Sequence, residues 1–127
     1  MKNDSRPVNL DLTKFAFPIH ALTSITHRIA GVALFVAVAF GLYALDRSLA
    51  SETGFEQIAG LMVSPVGKLI TWLILSALAF HFIAGIRHML MDMDVAESLE
   101  GGRFGARVTF LLSSIVILVA GSWVLQW

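Results

Sequence analysis

Residues 69–86 read LITWLILSALAFHFIAGI, a run that contains one histidine and no aspartate, glutamate, lysine or arginine. Two further uncharged runs are IAGVALFVAVAFGLYAL at residues 29–45 and VTFLLSSIVILVAGSWVLQW at residues 108–127. A helix that crosses the hydrocarbon core of a bilayer needs about 20 residues, and the lack of water there makes the backbone satisfy its own hydrogen bonds as a helix. The sequence therefore predicts an all-α integral membrane bundle of three transmembrane helices. The predicted spans cover about residues 22–48, 66–91 and 104–127 of a single membrane-anchor domain, residues 1–127.

The composition of the whole chain agrees with a membrane protein. Hydrophobic residues make up 57% of the chain and charged residues 14%, whereas an ordinary soluble domain has about 25% charged residues. The mean hydropathy is +0.78. The formal net charge is zero, so the chain has no basic field that would attract a nucleic acid. The lack of cysteine excludes disulfides and thiolate-bound iron–sulfur clusters within this chain. Together these values argue against a soluble enzyme, a disordered regulator and a nucleic-acid-binding protein.

Positively charged residues predict the orientation of the spans, because loops rich in lysine and arginine stay on the cytoplasmic side. Seven such residues precede the first span or surround the loop between the second and third spans, and two lie between the first and second. The seven are Lys2, Arg6, Lys14, Arg28, Arg87, Arg103 and Arg107, and the two are Arg47 and Lys68. We therefore expect a cytoplasmic N-terminal segment, residues 1–20, and a periplasmic C-terminus. Residues 55–62 are expected to form a helix at the outer interface.

One ionisable residue, His81, lies inside the second run. At 1.5 Å per residue, it is about 9 Å from Arg87 along the helix axis, which places it within the hydrocarbon. An ionisable group in a span is a functional candidate, and a neutral imidazole there has one nitrogen free to bind a metal. Gly85 and His88 share the same helix face, and the glycine leaves room for a flat macrocycle. The alternative is a histidine that only hydrogen-bonds to a neighbouring helix.

If His81 binds a haem, the second axial ligand has to come from another helix. The two axial ligands lie on opposite sides of the iron, so neighbouring turns of one helix cannot supply both. The first and third runs contain no histidine. A partner subunit is therefore the economical source of the second ligand.

A second polar cluster, His20, Ser24, His27 and Arg28, lies where the first span begins. In a helix that starts upstream of residue 29, the last three of these residues share one face. A hydroxyl, an imidazole and a guanidinium suit a polar carbonyl head group whose apolar tail stays in lipid. The alternative is that His27 and Arg28 only extend their polar ends to the membrane surface.

Two motifs together resemble a known family. Residues 6–32, RPVNLDLTKFAFPIHALTSITHRIAGV, and residues 81–92, HFIAGIRHMLMD, are similar to motifs of the cytochrome b556 membrane-anchor subunits of bacterial succinate dehydrogenases. GFEQ at residues 54–57 resembles the external loop of some members. The pairing of S-x-x-H-R with H-x-x-x-G-I-R-H makes the likeness specific, because either motif alone would be weaker. The resemblance extends over nearly the whole chain.

The resemblance implies a haem b site between two anchor subunits. It assigns His81 as one axial ligand of the iron and gives the other ligand to the companion anchor. It also places His27 and His88 near the haem propionates.

The resemblance implies a ubiquinone site as well. Ser24 and Arg28 match residues that line the quinone site in the family, and His27 matches a histidine beside the quinone. Asp92 matches an aspartate close to the quinone region. No family role corresponds to His20.

The function implied by the resemblance is that of the haem b- and ubiquinone-binding membrane anchor of succinate dehydrogenase. Such a chain passes electrons from the iron–sulfur subunit to ubiquinone, in the tricarboxylic acid cycle and the aerobic respiratory chain, and does not itself oxidise succinate. The implied partners are a flavoprotein subunit, an iron–sulfur subunit, a second membrane anchor and membrane lipid, in the bacterial inner membrane. The alternatives are the anchor of a related fumarate reductase and a purely structural anchor. A transporter is disfavoured, because the spans contain no carboxylate at mid-membrane and no internal proline.

Overall fold

The structure, a computed structural model, describes residues 17–95 and 98–127. These residues form four α-helices: α1 (Ile19–Ala50), α2 (Glu52–Val63), α3 (Pro65–Asp92) and α4 (Leu99–Val124). Three of them, α1, α3 and α4, are long and apolar enough to cross a membrane. The prediction of an all-α chain with three such helices is therefore confirmed. The orientation of the helices stays a prediction, and residues 1–16 of the expected cytoplasmic segment lie outside the described residues.

Serine residues fix where three of the helices begin. Ser51, Ser64 and Ser98 each accept a hydrogen bond from the backbone N–H three residues later, at 3.0–3.1 Å. Such caps satisfy donors that have no partner within the first turn of a helix. Because of its cap, α4 begins at Leu99, ahead of the uncharged run from which the third span was predicted. The predicted helix at residues 55–62 is present as α2.

Helix α3 packs against α1, α2 and α4. Small side chains fill these contacts, since Ala84 and Ala106 are fully buried, and Thr23 and Ser113 are the largest fully buried side chains after Val124. Small residues let helices approach closely in a membrane, where lipid already solvates large apolar groups. Large hydrophobic side chains point outward instead. In the most apolar window of α1, only 6% of the residues are buried, so this helix offers most of its surface to lipid or to another subunit.

Two hydrogen bonds hold together the end of the bundle at which α3 begins. The indole N–H of Trp72 donates to the carbonyl of Ile117 at 3.0 Å, and Lys68 Nζ donates to the carbonyl of Trp127 at 2.6 Å. Gly121 allows the indole to lie against α4, because a Cβ at that position would come within 2.8 Å of Trp72 Nε1. We call this the tryptophan end of the bundle. The opposite end, where α1 and α4 begin and α3 ends, contains the predicted site residues.

Candidate functional site

Three histidines from two helices meet near the end of the bundle where α1 begins. The rings of His27 on α1 and His81 on α3 are stacked, with centroids 4.1 Å apart and planes 12° from parallel. The ring of His88 lies 5.0 Å from that of His27. His81 and His88 are two turns apart on one face of α3, and α1 brings His27 against both. We call these three residues the histidine cluster.

A backbone carbonyl orients the ring of His81. Its Nδ1 lies 3.0 Å from the carbonyl oxygen of His27. A carbonyl oxygen can only accept a hydrogen bond, so Nδ1 carries the proton and Nε2 keeps its lone pair. Histidines that bind metals typically donate their other ring N–H to a carbonyl or carboxylate in this way. The stacked ring of His27 covers one face of the imidazole and not its edge, so the arrangement fits a single axial ligand to a haem iron.

Two glycines adjoin the histidine cluster, and they differ in how much space they leave. A Cβ at Gly31 would lie 2.9 Å from His81 Cε1, which is too close for carbon atoms that are not bonded. A Cβ at Gly85 would lie 3.5 Å from His27 Nε2, which is ordinary contact. The sequence predicted that Gly85 leaves room for a flat macrocycle beside His81, and this stays a prediction. Gly31 leaves space for the imidazole ring itself, and sequence reasoning missed it because it lies on another helix.

The remaining polar residues line a groove of about 460 Å³ formed by α1, α3 and α4. Within it, Arg28 Nη2 lies 3.4 Å from Ser24 Oγ, and Arg28 Nε lies 3.4 Å from the carbonyl of Ser24. His88 connects this groove to the histidine cluster. The polar lining consists of His20, Ser24 and Arg28 from α1, Arg87 and His88 from α3, and Ser98 from α4. The described lining thus has two guanidinium groups, two imidazoles and no carboxylate, which favours ligands that accept hydrogen bonds or carry negative charge. We call it the cationic groove.

Arg87 is a residue of this groove that sequence reasoning treated only as a charge near the end of the second span. It is 8% exposed and donates from Nη2 to the carbonyl of Gly102 at 3.1 Å. Gly105 leaves space for its stem, since a Cβ there would lie 3.2 Å from Arg87 Nε. The sequence signal was the run GGRFG at residues 101–105, which places glycines along the first turns of α4. A buried arginine beside the groove adds a fixed positive charge to it.

Asp92 belongs to neither the cationic groove nor the histidine cluster as the structure describes them. It is the last residue of α3, is exposed, and is not among the described residues that line the cationic groove. No three histidine, cysteine, aspartate or glutamate residues within residues 17–95 and 98–127 are grouped so that they could hold a metal ion together.

The helices and the two adjoining sites define a multi-pass membrane protein with a polar site at one end. Residues 2–120 match the family model of the succinate dehydrogenase/fumarate reductase transmembrane subunit. The chain therefore belongs to this family, whose members are the membrane subunits of complexes that also contain catalytic subunits.

Curated relatives agree with that assignment. The chain is 46% identical over 123 residues to a succinate dehydrogenase cytochrome b556 subunit from Coxiella burnetii, covering 96% of this chain and 98% of the relative. It is 35% identical over 103 residues to a cytochrome b560 subunit from Porphyra purpurea, covering 79% and 82%. It is 29% identical over 115 residues to a cytochrome b556 subunit from Paracoccus denitrificans, covering 91% and 88%. The resemblance stated from the sequence motifs is confirmed.

Proposed function

We propose that this chain is the haem b- and ubiquinone-binding anchor of a bacterial succinate dehydrogenase, which passes electrons from the iron–sulfur subunit to ubiquinone at the inner membrane. The observation that carries the proposal is the adjacency of two sites. The cationic groove contains Ser24 and Arg28, and His88 links it to an imidazole whose Nε2 is free to bind iron. Because the chain belongs to a family of succinate dehydrogenase/fumarate reductase membrane subunits, we propose the catalytic subunits of such a complex as its partners.

In the proposed haem site, His81 would bind the haem iron through Nε2, and the companion anchor would supply the other ligand. When bound, haem b provides a one-electron store beside the quinone site. The carbonyl of His27 holds the imidazole of His81 in the required tautomer and orientation. His27 and His88 are available for hydrogen bonds to the propionates. The exposed apolar surface of α1 is free to contact the companion anchor.

In the proposed quinone site, Ser24 donates a hydrogen bond to one carbonyl of ubiquinone. Arg28 lies beside it and stabilises the negative charge that develops on that oxygen as electrons arrive. Fixed positive charge acts strongly there, because the surroundings have a low dielectric constant. The 3.4 Å separation between the Ser24 and Arg28 side chains is long for a hydrogen bond, so both groups can turn to a ligand. Asp92 is proposed to lie close to the quinone region in the assembled complex.

The test uses the purified complex and the variant Ser24→Ala. We expect the wild-type complex to show a b-type haem spectrum and to reduce ubiquinone with succinate. We expect Ser24→Ala to lower ubiquinone reduction about tenfold, which corresponds to the loss of one hydrogen bond to a polar group, while succinate oxidation by an artificial dye is retained.

Three results would contradict the proposal. A complex without a b-type spectrum would be a purely structural anchor. A complex that reacts with menaquinone in preference to ubiquinone would belong with the fumarate reductases. Unchanged ubiquinone reduction in Ser24→Ala would remove the serine from the site.

A further inference from the structure

We propose that His20 delivers a proton from the aqueous phase to the quinone held at Ser24 and Arg28. This inference rests on the proposed function and deepens it, by assigning a task to a histidine for which the family motifs suggest none. Three features of His20 support the inference: its position, an unsatisfied atom of its ring, and the chemistry of its neighbours.

His20 belongs to the lining of the cationic groove, at the start of α1. His20, Ser24 and Arg28 occupy successive turns of α1, and all three line the groove. Because α1 begins at Ile19, His20 is in its first turn. At 1.5 Å per residue, it lies about 6 Å from Ser24 along the axis, on the side where the chain enters the helix. A proton carried by this half-buried ring therefore has a short path to Ser24.

The ring of His20 has an unused polar atom. Its Nδ1 is buried and has no hydrogen-bond partner in the part of the chain that the structure describes. Buried polar atoms in folded proteins almost always have a partner, which is often an ordered water or a ligand. In His81, by contrast, Nδ1 donates a hydrogen bond to the carbonyl oxygen of His27. Nδ1 of His20 is therefore available to a water or a ligand, since no described residue competes for it.

Few of the groups around His20 could donate a proton to the quinone in its place. Facing the groove with it are Ser24 and Arg28 from α1, Arg87 and His88 from α3, and the uncharged Ser98 from α4. Arginine keeps its proton at all relevant pH values, and a serine hydroxyl passes on only a proton that it receives. An imidazole can both accept and donate a proton at physiological pH, and the described lining contains two, His20 and His88. His88 belongs to the histidine cluster, whereas His20 lies outside it, in the first turn of α1.

The reaction needs such a donor, because reduction of a quinone to a quinol takes up two electrons and two protons. The electrons come from the iron–sulfur subunit. In the proposed transfer, an N–H bond of the His20 imidazolium breaks and an O–H bond forms at the quinone carbonyl oxygen held by Ser24, directly or through Ser24 Oγ. The neutral imidazole then takes a proton from water, so His20 is unchanged at the end of the cycle. The other carbonyl oxygen, on the opposite side of the quinone ring, takes the second proton from water, which completes the quinol.

The experiment compares His20→Gln and His20→Ala in the whole purified complex with Leu22→Ala, a change at an exposed apolar residue of the same turn that is not in the described groove lining. We measure kcat and KM for ubiquinone from about pH 5 to pH 8, the range in which an unperturbed imidazole changes its charge, together with dye reduction and haem content. We expect kcat for ubiquinone to fall about tenfold to a hundredfold in both His20 variants, with an altered pH profile and KM changed less than about threefold. Dye reduction and haem content should equal those of Leu22→Ala. Added imidazole should restore part of the activity of His20→Ala, since it fills the space that the side chain leaves.

The inference is overturned if kcat stays normal in His20→Gln, if the variants raise only KM, or if imidazole restores nothing in His20→Ala. Loss of haem or of dye reduction in these variants would show a structural role and would also overturn it. The variant Ser24→Ala is measured in parallel. Normal ubiquinone reduction in Ser24→Ala refutes the quinone site itself, whereas a defect in Ser24→Ala with normal His20 variants refutes only the proton-delivery role.

Discussion

The two ends of the helix bundle differ in how their polar groups are satisfied. At the tryptophan end, Trp72 and Lys68 donate to backbone carbonyls of the same chain, beside a largely apolar groove of about 700 Å³. At the histidine-cluster end, His20 Nδ1 and Arg87 Nε are buried without partners among the described residues. Polar groups that bond to their own chain stabilise the fold, whereas a buried polar group without a partner calls for an explanation such as a water or a ligand. The histidine-cluster end also has hydrogen bonds between helices, from His81 and Arg87, so what distinguishes it is the pair of buried nitrogens without a described partner.

The largest effect is expected from removal of the proposed iron ligand, His81. In His81→Leu, we expect the b-type haem absorbance of the purified complex to be lost or altered, because the imidazole Nε2 is no longer there to bind the iron. A visible spectrum measures this, with Trp72→Phe at the tryptophan end as the matched control. An unchanged spectrum in His81→Leu would show that another residue is the ligand.

Removal of the guanidinium at the cationic groove should have the next largest effect. In Arg28→Leu, we expect kcat for ubiquinone to fall about 10²-fold, since removal of one preorganised group that stabilises developing negative charge has an effect of this size. Arg28→Lys keeps the charge and should retain part of the activity. Steady-state kinetics with ubiquinone and with a dye check both variants, and an equal loss of dye reduction would point to damage of the whole complex.

A smaller effect is expected from the glycine that contacts His81. In Gly31→Ala, the added Cβ would come within 2.9 Å of His81 Cε1, so the ring has to move. We expect a shifted haem spectrum and a loss of about 1–3 kcal/mol of stability. The control is Gly41→Ala on the same helix, whose Cβ would have nothing within 4 Å and which should change neither. Visible spectra and thermal unfolding in detergent compare the two, and equal behaviour would contradict the difference between them.

The smallest effect is expected at the tryptophan end. Trp72→Phe removes the hydrogen bond to the carbonyl of Ile117, which should lower the stability by about 1 kcal/mol. The haem spectrum and the ubiquinone kinetics should be those of the wild type, because this bond lies at the other end of the bundle. A change in either would mean that the two ends are coupled.

The sequence predicted contacts within one helix better than contacts between helices. Ser24 and Arg28 were placed together because a spacing of four residues brings side chains to one helix face. The stacking of His27 on His81 and the contribution of Gly31 depend on how α1 crosses α3, and neither helix alone specifies this. From the sequence, Gly85 was the glycine that could be placed beside His81, because helical periodicity relates only residues of the same helix. The exposed position of Asp92 likewise depends on where α3 ends relative to the groove.

By itself, the sequence determined that the chain forms apolar helices, because uncharged runs of this length are compatible with a bilayer only as helices. It also determined that an imidazole lies within such a run and that a hydroxyl and a guanidinium share a helix face. Only the tertiary structure decided that Arg87 is buried against α4 and that one groove joins residues of three helices. The physical reason is that backbone hydrogen bonding and helical periodicity act within a segment, whereas burial and ring stacking depend on atoms that are far apart in the chain.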